Sequence, residues 1–178
     1  MVESDKKVHS NFWANIFNPP TESDDLLQSL RGIPLFKLLA KKDLVNLMSI
    51  IHKRNYLAEE IIFYQGDPGI GLYIIREGEV MISRESDEGD KITLAVFKKG
   101  DFFGELALID NDKRSASAIA KSDTKLSVIF KPDLDEFIEK YPKKGIKILE
   151  GIAEITAMRL RTLNEDYFNL RKEQIKGE

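Results

Sequence analysis

The 178-residue chain contains no cysteine. That excludes disulfides and thiolate metal sites, and it agrees with a reducing, cytoplasmic setting. Histidine is almost as scarce, with only His9 and His52. A metalloenzyme needs several imidazole or carboxylate ligands converging on one point. A Ser-His-Asp or Cys-His set needs a well-placed imidazole. Here one histidine falls in an N-terminal tail and the other in a region that reads as helical, so the reading is of a non-catalytic chain without a metal. Long apolar runs are missing too: none reaches the ~20 residues of a membrane span. The start, Met1-Val2-Glu3-Ser4-Asp5-Lys6-Lys7, is not a signal peptide. Positive charge is not in excess, since 27 Lys and Arg face 30 Asp and Glu for a net charge of −3. Phosphate backbones call for clustered Lys and Arg, so neither a nucleic-acid partner nor membrane insertion is expected.

What is present suits a folded, soluble chain: 42% hydrophobic and 32% charged residues. Its pattern divides it in three. Residues 1–22 form a tail holding a short amphipathic segment, Asn11 to Phe17, with Phe12, Trp13, Ile16 and Phe17 before Pro19-Pro20. Residues 23–142 open with two short helices. One is capped by Ser23 or Asp24 and runs through Arg31; the other spans Asp43 to Ile51, with Leu44, Leu47, Met48 and Ile51 at helical spacing. Strand-like runs follow at Ile61–Tyr64, Leu72–Ile75, Val80–Ile82, Ile92–Phe97, Ser117–Ala120 and Lys125–Phe130, punctuated by glycines. Ile92, Leu94 and Val96 alternate with Thr93, Ala95 and Phe97. Many short strands with glycine turns suggest a small antiparallel barrel or jelly roll. A short helix, Asp133 to Lys140, leads to the third part, residues 143–178, with a long helix from about Lys143 to Lys172.

The most informative stretch is Gly100 to Ala120, GDFFGELALIDNDKRSASAIA. Gly104 lets backbone approach a ligand closely. The turn after it, at Leu106 and Ala107, can aim free N–H groups at an anion. Arg114 offers a fixed fork of donors for phosphate oxygens. Glu105 accepts only, so it suits a hydroxyl. Each residue has a plainer reading, Gly104 as a tight turn and Glu105 with Arg114 as a ligand-free salt bridge, and taken singly the plainer reading is favoured for Gly104 and Ser115. Leu106, Ala107, Leu108 and Ile109 read as wall and core.

Phe103-Gly104-Glu105-Leu106-Ala107-Leu108 followed by Arg114-Ser115-Ala116 closely resembles the phosphate-binding cassette of cyclic nucleotide-binding domains. The resemblance extends from about Leu26 to Leu170. It implies a mainly β fold with flanking α-helices: an eight-stranded antiparallel β jelly roll, N-terminal helices and a long C-terminal helix. It further implies a cAMP or cGMP ligand, with no other cofactor. Glu105 would take the ribose 2′-hydroxyl and Arg114 the exocyclic phosphate oxygens, while Ser115 would donate to the phosphate or touch the purine edge. The C-terminal helix would cap the purine, where position favours Leu163 and Asn164, and Asn164 can read adenine. One departure is Ile70, where an acid commonly follows the glycine.

On the last helix Thr156, Leu160, Leu163, Tyr167, Leu170 and Gln174 recur at 4-3-4-3-4 spacing, a heptad seam. Continued by Leu149 and Ile152, it implies a parallel homodimer. With neither a DNA-binding segment nor an enzymatic one after the helix, the expectation is a cyclic nucleotide sensor, cAMP before cGMP, acting on an unidentified effector protein. The competing expectation is a dimeric interaction module of the same fold that binds no ligand.

Overall fold

The computed structural model describes residues 22–110 and 112–177. The amphipathic segment from Asn11 to Phe17 lies outside them. Strands β1 (Ile51–Tyr56), β2 (Ile61–Phe63), β3 (Gly71–Glu77), β4 (Glu79–Glu85), β5 (Lys91–Lys98), β6 (Phe102–Phe103), β7 (Ser117–Ala120) and β8 (Thr124–Phe130) make two antiparallel sheets. Their orders are β1-β8-β3-β6 and β2-β7-β4-β5. Helices α1 (Glu22–Gly32) and α2 (Lys41–Leu47) precede the strands; α3 (Lys131–Lys140) and α4 (Pro142–Gly177) follow them. This is the mainly β jelly roll with flanking helices.

The composition of β3 explains where the core divides. Leu72-Tyr73-Ile74-Ile75 is apolar at every position, as a strand covered on both faces must be. Tyr73 and Ile75 point between the sheets, where they pack with Val80, Phe103, Leu126 and Val128. Leu72 and Ile74 point the other way, into a second core built by Leu30, Leu35, Phe36, Leu47, Phe137, Ile148 and Ile152 of the helical layer. The first sheet is thus covered on both faces, while the second packs on the inner core alone.

Four local expectations are corrected. The helix begun near Asp43 stops at Leu47; Met48–Ile50 is a 3-10 turn and Ile51 already belongs to β1. His52 therefore sits on a strand rather than a helix, with Nε2 2.8 Å from the Asp133 carboxylate at the start of α3. The alternation along β5 is also broken. Ile82 pairs with Ala95 and Ser83 with Thr93, which leaves Leu94 as an extra, bulged residue. Ser23 and Asp24 fall inside the first turn of α1, which begins at Glu22, rather than before it.

Helix α4 is 36 residues long, about 54 Å at 1.5 Å per residue. Its first half docks on the N-terminal 3-10 turn Pro34–Phe36 through Gly151, whose Cα lies against the Leu35 carbonyl where a Cβ could not fit. Its second half extends beyond the barrel, and every residue from Met158 to Ile175 is exposed.

Candidate functional site

Strand β6 ends at Phe103, and the chain must turn at once to start the 3-10 turn Glu105–Leu108. Gly104 makes that turn at φ 77°, in the left-handed region. A Cβ here would also stand 2.7 Å from Arg114 Nη1 and 3.0 Å from the Gly71 carbonyl oxygen. Glycine is therefore required twice, by backbone conformation and by the closeness of the arginine.

Arg114 is pinned from its backbone outward. Its N–H donates to the Asp67 carbonyl at 2.7 Å and its carbonyl accepts from Gly66 N–H at 2.8 Å. The side chain, 7% exposed, runs inward. Nη2 donates to the Gly71 carbonyl at 3.0 Å and Nη1 to the Gly104 carbonyl at 3.4 Å. The guanidinium carbon lies 4.2 Å from the Phe63 ring centroid and 5.4 Å from that of Tyr73. Nε is buried with no hydrogen-bond partner among the described residues. Burial pulls the guanidinium below its ordinary pKa, and the nearby Tyr73 and Asp110 oppose that shift. Burial in turn raises the Tyr73 hydroxyl above the usual tyrosine value. A buried cation with one donor unused is a strong demand for an anion.

Glu105, 2% exposed, does not pair with Arg114. Its Oε1 accepts from Nη1 of Arg159 on α4. Arg159 also donates to the Phe102 carbonyl at 3.3 Å and lies over the Phe102 ring. The ligand-free salt bridge between Glu105 and Arg114 is absent among the described residues; the two charged groups hold different partners. Oε2 of Glu105 takes no protein hydrogen bond among those residues, which leaves an acceptor for a ligand hydroxyl.

These groups enclose a cavity of about 340 Å³. Gly104, Glu105, Leu106, Ala107, Arg114 and Ser115 all line it. Ser115 is exposed at its mouth. Ile82, Ala95 and Phe97 add an apolar wall to the lining, and Phe63 joins it to the Arg114 guanidinium that its ring covers. One half of the cavity thus suits an anion and a hydroxyl, and the other suits a flat apolar ring. Leu108 and Ala107 are buried as wall and core, but Leu106 and Ile109 are about half exposed, unlike the expectation for a packed wall. Asn164 is not among the lining residues. It stands exposed on α4 five residues past Arg159, about 7.5 Å further along the helix. Arg159 is the site residue that sequence reasoning missed, because an arginine on a charged helix carries no local signal.

A family model described as the cyclic nucleotide-binding domain matches residues 53–141, half of the chain. The chain belongs to the cyclic nucleotide-binding domain family. Members similar to it include a cyclic AMP receptor protein of Thermus thermophilus, 37% identical over 132 residues, 74% of this chain and 59% of that one. Among solved structures, the N-terminal domain of a Streptomyces coelicolor transcriptional regulator superposes with a TM-score of 0.68 at 30% identity, covering 78% of this chain and 94% of the other. The regulatory domain of Toxoplasma gondii PKA with cAMP gives 0.61 at 30% identity, over 65% and 45% of the two chains. This cyclic nucleotide-binding domain spans 59% of the Thermus relative and smaller shares of other curated relatives. The matched segment contains Gly104, Glu105, Arg114 and Ser115, while Arg159 lies on the helix beyond it. Among the described residues no helix is long and apolar enough to cross a membrane, and no group of three His, Cys, Asp or Glu could hold a metal.

Proposed function

We propose that the domain is a non-catalytic cyclic nucleotide sensor that takes cAMP in preference to cGMP and acts on another protein. The observation that carries this reading is Arg114. It is buried beside the N-terminal end of the 3-10 turn and keeps Nε without an acceptor among the described residues. A singly charged cyclic phosphate would complete its hydrogen bonds, with the N–H groups of Leu106 and Ala107 as further donors. Glu105, oriented by Arg159, would accept the 2′-hydroxyl through Oε2 and disfavour deoxy analogues. The purine would then lie along Phe63, Ile82 and Ala95, with the Ser115 hydroxyl at its edge or on the phosphate. The cAMP named with the Thermus and Toxoplasma relatives supports adenine.

Helix α4 supports a parallel homodimer. Ile146, Leu149, Leu160, Leu163, Tyr167 and Leu170 are all large, apolar and exposed, and with Ala153, Thr156 and Gln174 they follow a/d spacing. Ile152, by contrast, is fully buried in the helical core and cannot belong to the seam. Ile146 and Ala153 take over the continuation expected from it. In a parallel pair a g residue faces the e residue five positions on in the other helix. That register sets Asp166 against Arg171 and Arg159 against Asn164 of the second copy. Asn164 would reach the purine across the dimer rather than from its own chain.

The test is calorimetric titration of refolded, nucleotide-free protein with cAMP and cGMP. Saturable micromolar or tighter binding, stronger for cAMP, is the expected result. Absence of heat and of thermal stabilisation with both nucleotides would overturn it in favour of a ligand-silent interaction module.

A further inference from the structure

The 3-10 turn Glu105–Leu108 is held at its first residues by Gly104 and by the Glu105–Arg159 pair. Its other end needs a partner as well. The N–H groups of Ile109 and Asp110 both donate to the Leu106 carbonyl, and no backbone N–H among the described residues donates to the Leu108 carbonyl. That carbonyl accepts instead from Nζ of Lys131, at 3.2 Å.

Lys131 is oddly placed for any role inside its own helix. It occupies the first turn of α3, where the helix dipole disfavours a cation. Its side chain is only 21% exposed, and Asp135 at 3.5 Å is its carboxylate partner. Its backbone N–H donates to the Ile70 carbonyl at 2.9 Å, next to Gly71, whose carbonyl holds Arg114. One residue thus ties α3 both to the loop that positions the arginine and to the end of the turn that faces the ligand.

We infer that Lys131 is a positioning residue for the ligand: its ammonium group clamps the Leu108 carbonyl and so fixes the direction of the Leu106 and Ala107 N–H groups. This rests on the cyclic nucleotide reading of the cavity. An anion pulling on the N–H end tilts a turn whose carbonyl end is free, and a clamped turn meets the anion without that rearrangement.

The experiment compares Lys131→Met, which keeps the apolar stem, Lys131→Arg, which keeps the charge, and Asp135→Asn, which leaves the Leu108 contact intact. Two quantities are read in each: amide hydrogen exchange at 106–110 in the ligand-free protein, and cAMP affinity with its dissociation rate. The expected result is faster exchange across 106–110 in Lys131→Met, with affinity weakened about tenfold through faster dissociation. Lys131→Arg restores most of the affinity, and Asp135→Asn changes little. If the parent binds cAMP and Lys131→Met matches it in exchange and affinity, the clamp is refuted while the site reading stands. If the parent binds no cyclic nucleotide, the site reading fails and the positioning role falls with it, whatever the exchange shows.

Discussion

Replacing Arg114 with alanine removes two hydrogen bonds to carbonyls, at 3.0 and 3.4 Å, and a cation–π contact at 4.2 Å. In the ligand-free protein these losses are opposed by a gain. Leaving the Gly71 and Gly104 carbonyls unpaired costs ~1–3 kcal/mol each, and the ring contact is worth up to ~2 kcal/mol. Burying a guanidinium with no salt bridge among the described residues carries a penalty of several kcal/mol, which alanine relieves. The two sides nearly balance, so the ligand-free variant keeps a melting temperature close to the parent's. The bound state has no such balance. Truncating one partner of a buried, hydrogen-bonded charge pair costs ~2–5 kcal/mol, or about 30-fold to several thousand-fold in Kd. Calorimetry with cAMP gives the affinity and a ligand-free thermal scan gives the stability. Unchanged Kd would refute the reasoning. So would a variant whose loss of binding merely follows loss of the fold.

Four further outcomes follow from the same structure. Glu105→Gln is expected to lower the preference for cAMP over its 2′-deoxy analogue towards unity, measured by competition binding, because the neutral amide also loses its hold on Arg159. Gly151→Ala forces a methyl against the Leu35 carbonyl, a strain of ~1–3 kcal/mol that should lower Tm by about 2–4 °C per kcal/mol. Tyr73 has a hydroxyl pKa raised by burial. Its contribution is therefore fully present below the ordinary tyrosine value of about 10 and is lost as pH rises through the higher folded value. Tyr73→Phe should flatten the alkaline limb of a stability–pH curve, and an unchanged limb would contradict the assignment. Asp166→Arg or Arg171→Asp alone should weaken self-association in sedimentation runs, and the double exchange should restore it.

The strand pattern was legible wherever residues were apolar on one or both faces. Leu72–Ile75 and Ser117–Ala120 stand where reading placed them. The two strands that escaped notice lack that pattern. Ile51–Tyr56 reads Ile-His-Lys-Arg-Asn-Tyr and is largely polar because no residue of it is buried and Lys53, Arg54 and Asn55 are all exposed. Phe102–Phe103 is two residues long, too short for any periodicity. The near half of the site was legible because Gly104, Glu105, Arg114 and Ser115 lie within one short run whose spacing the turn imposes. The far half was not. Arg159 meets Glu105 across 54 positions of sequence, and only the docking of α4 through Gly151 brings them together. Ile152 misled for a related reason. Its spacing fits either the exposed seam or the buried face of one helix, and the contact with Leu35 and the helical core decides for the latter.

The most direct measurement is the Arg114 Nε–H proton resonance in isotope-labelled protein, followed as cAMP is added. Nε is the guanidinium nitrogen left without an acceptor among the described residues. A phosphate in this cavity should supply one, moving the signal downfield and slowing its exchange with water in step with shifts at the Leu106 and Ala107 amides. If cAMP saturates the protein while the Arg114 side chain and those amides stay unmoved, the ligand lies elsewhere and the account is wrong.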